Sequence, residues 1–120
     1  MAGEIKNFTD LIAWQKAHTL VLEIYKITKL FPEDERFALT NQLRRAAVSI
    51  TSNVAEGFGR NTPRDKVHFY SIAKGSLLET QSQLLVAKDL GYLENASYEI
   101  LEPKIIEVAK LLSGLKKHYA

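Results

Sequence analysis

Apolar side chains recur at alternating steps of three and four along most of the chain, the period of a helix with one face turned inward. Trp14, Ala17, Val21, Ile24, Thr28 and Phe31 form the first such stripe, and Lys16, Thr19, Glu23 and Lys26 lie opposite. This predicts a helix from about Thr9 to Phe31, with Thr9 as N-cap, Asp10 at the positive end of the helix dipole and Phe8 stapled to Ala13. Leu11, His18, Leu22 and Tyr25 widen its apolar face beyond what one neighbour needs, so they are expected to meet a second subunit.

Pro32-Glu33-Asp34-Glu35 ends that helix and caps the next, predicted over about Phe37 to Gly57 with the stripe Leu39, Leu43, Ala46, Ile50 and Val54. Gly57 and Gly59 read as its stop. A third helix opens at Thr62-Pro63-Arg64-Asp65, with Thr as cap and Pro at the first helical position, and reaches about Leu90 before Gly91. Its stripe is Tyr70, Ala73, Leu77, Thr80, Leu84 and Ala87. The fourth runs from Asn95 or Ser97 to Tyr119 on Leu101, Ile105, Val108, Leu112, Leu115 and Tyr119, with Pro103 in its first turns, tolerated there or the site of a kink. No stretch alternates as a strand would. The expected fold is all-α: residues 1–120 as a single domain, an antiparallel up-down-up-down four-helix bundle.

Composition narrows the function classes. The absence of cysteine removes disulfides, thiolate metal sites and cysteine nucleophiles, and fits a cytoplasmic setting. Met1 to Asp10 has no apolar signal core and no run approaches membrane length, so no membrane role is expected, and the sequons at Asn7 and Asn95 carry no weight. Net charge is only +2 but is unevenly placed. Residues 36–74 carry seven basic groups against two acidic ones, whereas residues 75–109 carry two basic and six acidic. That asymmetry points to an anionic partner or to association between unlike surfaces.

Catalytic constellations are sparse. There is no nucleophile elbow for a serine hydrolase, and a di-iron bundle needs inward Glu-x-x-His pairs where this chain has only Asp65-x-x-His68. His18, His68 and His118 are distant in sequence and read as surface or core-edge residues. No catalytic, cofactor or metal site is expected. Gly57-Phe58-Gly59-Arg60-Asn61-Thr62 lacks the strand and the Gly-Lys-Ser/Thr ending of a phosphate loop, and reads as a turn whose glycines supply positive φ. Two features remain. Arg60, Arg64 and Lys66 surround the start of the third helix, where free N–H groups favour an anion unless Glu56 and Asp65 neutralise them. Antiparallel packing brings Lys116 and Lys117 to the same end. Second, Gln42, Arg45, Ser49, Ser52 or Asn53, and Glu56 line one face of the second helix, answered by Ser76, Glu79 and Gln83 on the third. This is either a solvated stripe or a polar network between helices or subunits, with Arg45–Glu79 as one charge pair.

The longest distinctive stretch is Gln42-Leu43-Arg44-Arg45-Ala46-Ala47-Val48-Ser49-Ile50, continuing into Ser52-Asn53-Val54-Ala55-Glu56-Gly57-Phe58-Gly59-Arg60. With Phe69, Ile72-Ala73, Gly75-Ser76-Leu77, Glu79, Gln83-Leu84, Leu90-Gly91-Tyr92 and the opening Phe8, Leu11, Trp14-Gln15-Lys16-Ala17, it resembles the four-helix-bundle family encoded in intervening sequences of bacterial 23S ribosomal RNA genes. It is similar also to the accessory variability determinant of diversity-generating retroelements. The resemblance implies a ring-like homopentamer without enzymatic activity. For the retroelement relatives it implies a basic surface that binds nucleic acid and a reverse-transcriptase partner. Thr51 stands where the family often has proline, which implies a straighter second helix, and Gln81 where a second glutamate is common.

These readings converge on a homo-oligomer that binds RNA or DNA through Arg60, Arg64, Lys66, Lys116 and Lys117. The alternative is a structural or protein-interaction module with no nucleic-acid role. Because no aromatic stacking platform accompanies the cations in sequence, binding is expected to ignore base identity and to weaken steeply with salt.

Overall fold

The computed structural model describes residues 4–120 and contains four α-helices: α1 (Ile12–Thr28), α2 (Leu39–Phe58), α3 (Pro63–Asp89) and α4 (Asn95–Tyr119). Short 3-10 turns at Phe8–Asp10 and Glu33–Glu35 complete the regular structure, and the described residues form no strand. Each helix packs on two neighbours, in the circuit α1–α2–α3–α4–α1, and the backbones of the diagonal pairs do not approach closely. Cross-helix bonds fix the directions. Ser49 meets Ser76 and Phe58 meets Lys66 between α2 and α3, and Lys74 meets Ser113 and Gln81 meets Tyr98 between α3 and α4, so both pairs are antiparallel. Thr28 at the end of α1 meets Arg44 in the first half of α2, and Phe8 ahead of α1 lines a depression with Gly59 at the end of α2. Lys16 pairs with Glu107 and Glu23 with Lys104, so α1 and α4 are antiparallel too. The body measures 43 × 29 × 20 Å.

The core follows the apolar stripes. All six stripe residues of α3 are buried, as are Leu43, Ala46, Ile50 and Val54 of α2 and Leu101, Ile105, Val108 and Leu112 of α4. Three local features differ from the expectation. Asn7, not Thr9, is the first cap: its side chain accepts from the Thr9 N–H while Asp10 accepts from the Asn7 N–H, closing a capping box on the 3-10 turn. The chain then kinks at Leu11 (ψ 128°) before α1 begins. The kink turns Leu11 inward, where it is buried in its own protomer, so it is not part of a surplus face; Leu20 is fully buried as well. Phe8 packs edge-on against Trp14 at 5.3 Å.

Gly59 is the C-cap that ends α2, as expected, whereas Gly57 does not stop the helix. It lies buried inside the helix, and neither it nor Gly59 has a positive φ; Gly91, at +83°, is the one described residue that does. Gly91 closes α3 as a Schellman turn, with the Tyr92 N–H donating to the Ala87 carbonyl at 2.9 Å and the Gly91 N–H to the Lys88 carbonyl at 3.0 Å. Thr62 caps α3 through the Asp65 N–H, as its sequence predicts. Helix α4 continues through the exposed Pro103.

A candidate nucleic-acid interface at one end of the bundle

The antiparallel arrangement gathers the end of α2, the start of α3 and the end of α4 at one end. The Lys66 ammonium lies 5.5 Å from the Tyr119 ring, and Tyr70 lies 6.2 Å from Tyr119. The five predicted cations therefore share this end, but they are not equivalent. Arg60 is bonded to Glu56 at 2.9 Å and lies over Phe69, 4.3 Å from the ring centre. Lys66 donates to the Phe58 carbonyl at 2.7 Å and lies 5.5 Å from the Phe58 ring. It is the C-terminal cap of α2: its charge meets the negative end of that helix dipole and its proton satisfies an orphan carbonyl. Arg64 and Lys117 are exposed and Lys116 half-buried, and none is within ion-pair distance of an acid among the described residues. Glu56 thus neutralises one cation of the cluster, and Asp65 neutralises none.

The polar stripe between α2 and α3 resolves into a short network. The Ser49 and Ser76 hydroxyls are bonded at 2.8 Å, and Asn53 Nδ2 donates to the Ser49 carbonyl at 2.8 Å and hydroxyl at 3.0 Å. Thr80 donates to the Ser76 carbonyl at 2.8 Å. These are small side chains on closely packed helices, and the bonds fix their register. The Arg45–Glu79 pair does not form: both side chains are exposed, and Glu79 accepts instead from Gln83 of its own helix at 3.0 Å. Gln42 is exposed, and Glu56 belongs to Arg60. Gln83 Oε1 is buried without a partner. The arginine that does tie helices together is Arg44, whose Nε donates to Thr28 Oγ1 at 2.8 Å while its guanidinium lies 4.7 Å from the Tyr25 ring.

The surplus apolar surface is distributed differently from the expectation. On α1, Leu22 is 57% exposed, Tyr25 is partly covered by Arg44 and His18 stacks on Trp14. Further outward aliphatics are spread over α3, at Ile72, Leu78, Leu85 and Val86, and over α4, at Ile100 and Ile106. No helix among the described residues is long and apolar enough to cross a membrane.

Four antiparallel helices in a closed circuit, with a small-residue seam between the second and third and cations at one end, define an all-α bundle of a particular kind. The sequence pattern of the 23S rRNA-intervening sequence protein family matches residues 9–114, and the chain belongs to that family. Its fold is similar to that of a crystal structure from Bacteroides thetaiotaomicron, described as a protein with unknown function from the S23 ribosomal protein family. The two share 22% identity with a TM-score of 0.81, over 88% of this chain and 96% of that one. No curated protein matches the chain.

Proposed function

We propose that this protein is a cytoplasmic homo-oligomer that acts by binding RNA or DNA, through the basic end of its bundle, rather than by catalysis. The observation that carries the reading is that Arg64, Lys116 and Lys117 stand together at that end without acidic partners. Lys66 adds to their field, because bonding to a main-chain carbonyl leaves its charge unneutralised. Repetition of this end in each subunit of an oligomer would sum modest interactions into an avid surface.

The test is binding of a labelled RNA hairpin and a DNA duplex at low and physiological salt. Replacing Arg64, Lys116 and Lys117 together by glutamine is expected to weaken both complexes alike. It should also flatten the plot of log affinity against log salt by roughly two to three units, about one for each phosphate that is no longer neutralised. A parent protein that binds neither at low salt overturns the reading.

A second reading is favoured by the outward aliphatics of α3: a self-assembling interaction module without a nucleic-acid ligand. Leu78 and Leu85, two turns apart on one side of α3, are the pair that such an interface would cover. The count of five subunits is supplied by the family resemblance alone.

A further inference from the structure

Aromatic rings from sequence-distant stretches meet at the basic end. Trp14 and His18 are stacked, with centroids 4.6 Å apart and planes within 11°. Phe8, edge-on to Trp14, lines a depression of about 380 Å³ that Arg60 also lines. Beyond Arg60 come the Phe69 ring beneath its guanidinium and then His68, edge-on to Phe69 at 5.3 Å. The groups are linked pairwise: His18 to Trp14, Trp14 to Phe8, Phe8 to Arg60 across the lining of the depression, Arg60 to Phe69, and Phe69 to His68.

We infer that this row is a stacking platform for the unpaired bases of a single-stranded polynucleotide. The inference rests on the nucleic-acid binding proposed above and names the class of nucleic acid. Packing accounts for the inner members of each stack, since Trp14, Phe8 and Phe69 are half-buried. It does not account for the outer members. His18 lies flat on Trp14 and Arg60 lies over Phe69, and both are exposed, so each stack presents a planar group to solvent. Imidazole and guanidinium planes over aromatic rings are surfaces on which a base stacks. A base in a duplex already has both faces covered by its neighbours and offers only groove edges and phosphates. The platform therefore discriminates by pairing state and tolerates any base, because every base has a π-face.

The charges divide the surface in the same sense. Glu56, bonded to Arg60, lines the depression. A carboxylate there repels a phosphate and accepts from a base amino group, as carboxylates do from cytosine. The depression suits a base, and the phosphates fall to the cations without acid partners, Arg64 foremost, at the start of α3. Base identity stays unread, as the sequence leads one to expect; what the aromatic groups add to the cations is a preference for unpaired bases, and the linear sequence disperses those groups.

The experiment measures the affinity of the full chain at low salt for three labelled probes: a mixed-sequence single strand, the same strand annealed to its complement, and an abasic strand of equal length. Each is made in RNA and in DNA, which separates the two sources of single strand. The intact single strand is expected to bind at least about tenfold more tightly than the other two, since each stacked base is worth roughly fivefold to a hundredfold. His18→Ala and Arg60→Lys, the second keeping the charge and losing the plane, should each reduce that preference severalfold while leaving the melting temperature near that of the parent. Equal binding of all three probes by the parent overturns the platform and leaves the proposed nucleic-acid binding standing. Parent-like preference in both variants shows that another surface takes the bases and overturns the assignment. Failure of the parent to bind any probe overturns both.

Discussion

The ring of Tyr70 occupies the space that a side chain on Gly57 would need. A β-carbon on Gly57 would stand 2.6 Å from Tyr70 Cε1 and 3.2 Å from Phe69 Cβ, and Tyr70, only 1% exposed, has nowhere to withdraw. Gly57→Ala is therefore expected to cost about 1–3 kcal/mol through overpacking, despite the better helix propensity of alanine. Gly114 is the control. A β-carbon there meets nothing within 4 Å, so Gly114→Ala should stabilise by roughly 0.5–1 kcal/mol. Thermal melts of the two variants should shift in opposite directions; shifts of the same sign would refute the close approach of α2 and α3.

Adjacent arginines should behave unlike each other. Arg44 joins α2 to the Thr28 hydroxyl of α1, so Arg44→Ala should cost about 1–3 kcal/mol. Arg45 and Glu79 are exposed and unbonded to each other, so Arg45→Ala and Glu79→Ala should each cost less than about 1 kcal/mol and should add in the double mutant. A coupling energy above about 0.5 kcal/mol would show that the two residues meet after all, within or between subunits.

Alkaline pH should expose the burial of Tyr70. Desolvation first, and Tyr119 second, push its phenol up from 10.0 to about 12. The unfolded chain loses that proton above pH 10 while the folded protein retains it. The stability linked to Tyr70 is therefore fully present below pH 10 and is lost as pH rises towards 12. The Tyr92 hydroxyl, held by Glu35, is shifted in the same direction. Between about pH 9 and pH 11 the parent is expected to lose more melting temperature than Tyr70→Phe. Identical losses would mean that the phenol is hydrated in the native state.

Assembly is tested by charge on the outward face of α3. Leu78→Glu and Leu85→Glu should reduce the sedimentation coefficient at micromolar concentration while leaving helix content unchanged, because exposed substitutions alter protomer stability by only about 0.5 kcal/mol. Leu22→Glu reports on α1 in the same way, and the face whose variant dissociates is the interface. A monomeric parent would remove the oligomer from the proposal.

The fold was legible because each helix advertises its buried face. The α3 stripe from Tyr70 to Ala87 is buried at every position, since a long helix flanked by a Thr-Pro start and a glycine stop has no freedom of phase. Errors collected where phase is not fixed. Leu11 departs from the outward position expected of it because the kink at that residue interrupts the periodicity carried forward from Thr9, and the fully buried Leu20 lies off the stripe from Trp14 to Phe31. Arg44 was eclipsed by Arg45: a three-four count puts Arg45 on the polar stripe, whereas Arg44 reaches across to a carbonyl and hydroxyl that no local pattern announces. The aromatic row was invisible for a similar reason. Phe8, Trp14 and His18 are far along the chain from Arg60, His68 and Phe69, and only the antiparallel topology makes them neighbours. The cue available was that each group sits near a helix end that such a bundle brings together.

The closed circuit of helices also sets an order of assembly. Three of its four seams join helices consecutive in sequence, and those hairpins form at little loop-closure cost. The seam between α1 and α4 alone must wait for the rest of the chain to be in place, and the ties described across it include the half-exposed ion pair Lys16–Glu107 and the pair Lys104–Glu23. It is expected to act as the latch of the bundle, closing last and opening first. Native-state amide exchange should find the outer turns of α1 and α4 released at lower free energy than the middle of α2 and α3, a breathing motion that leaves the serine-bonded seam intact.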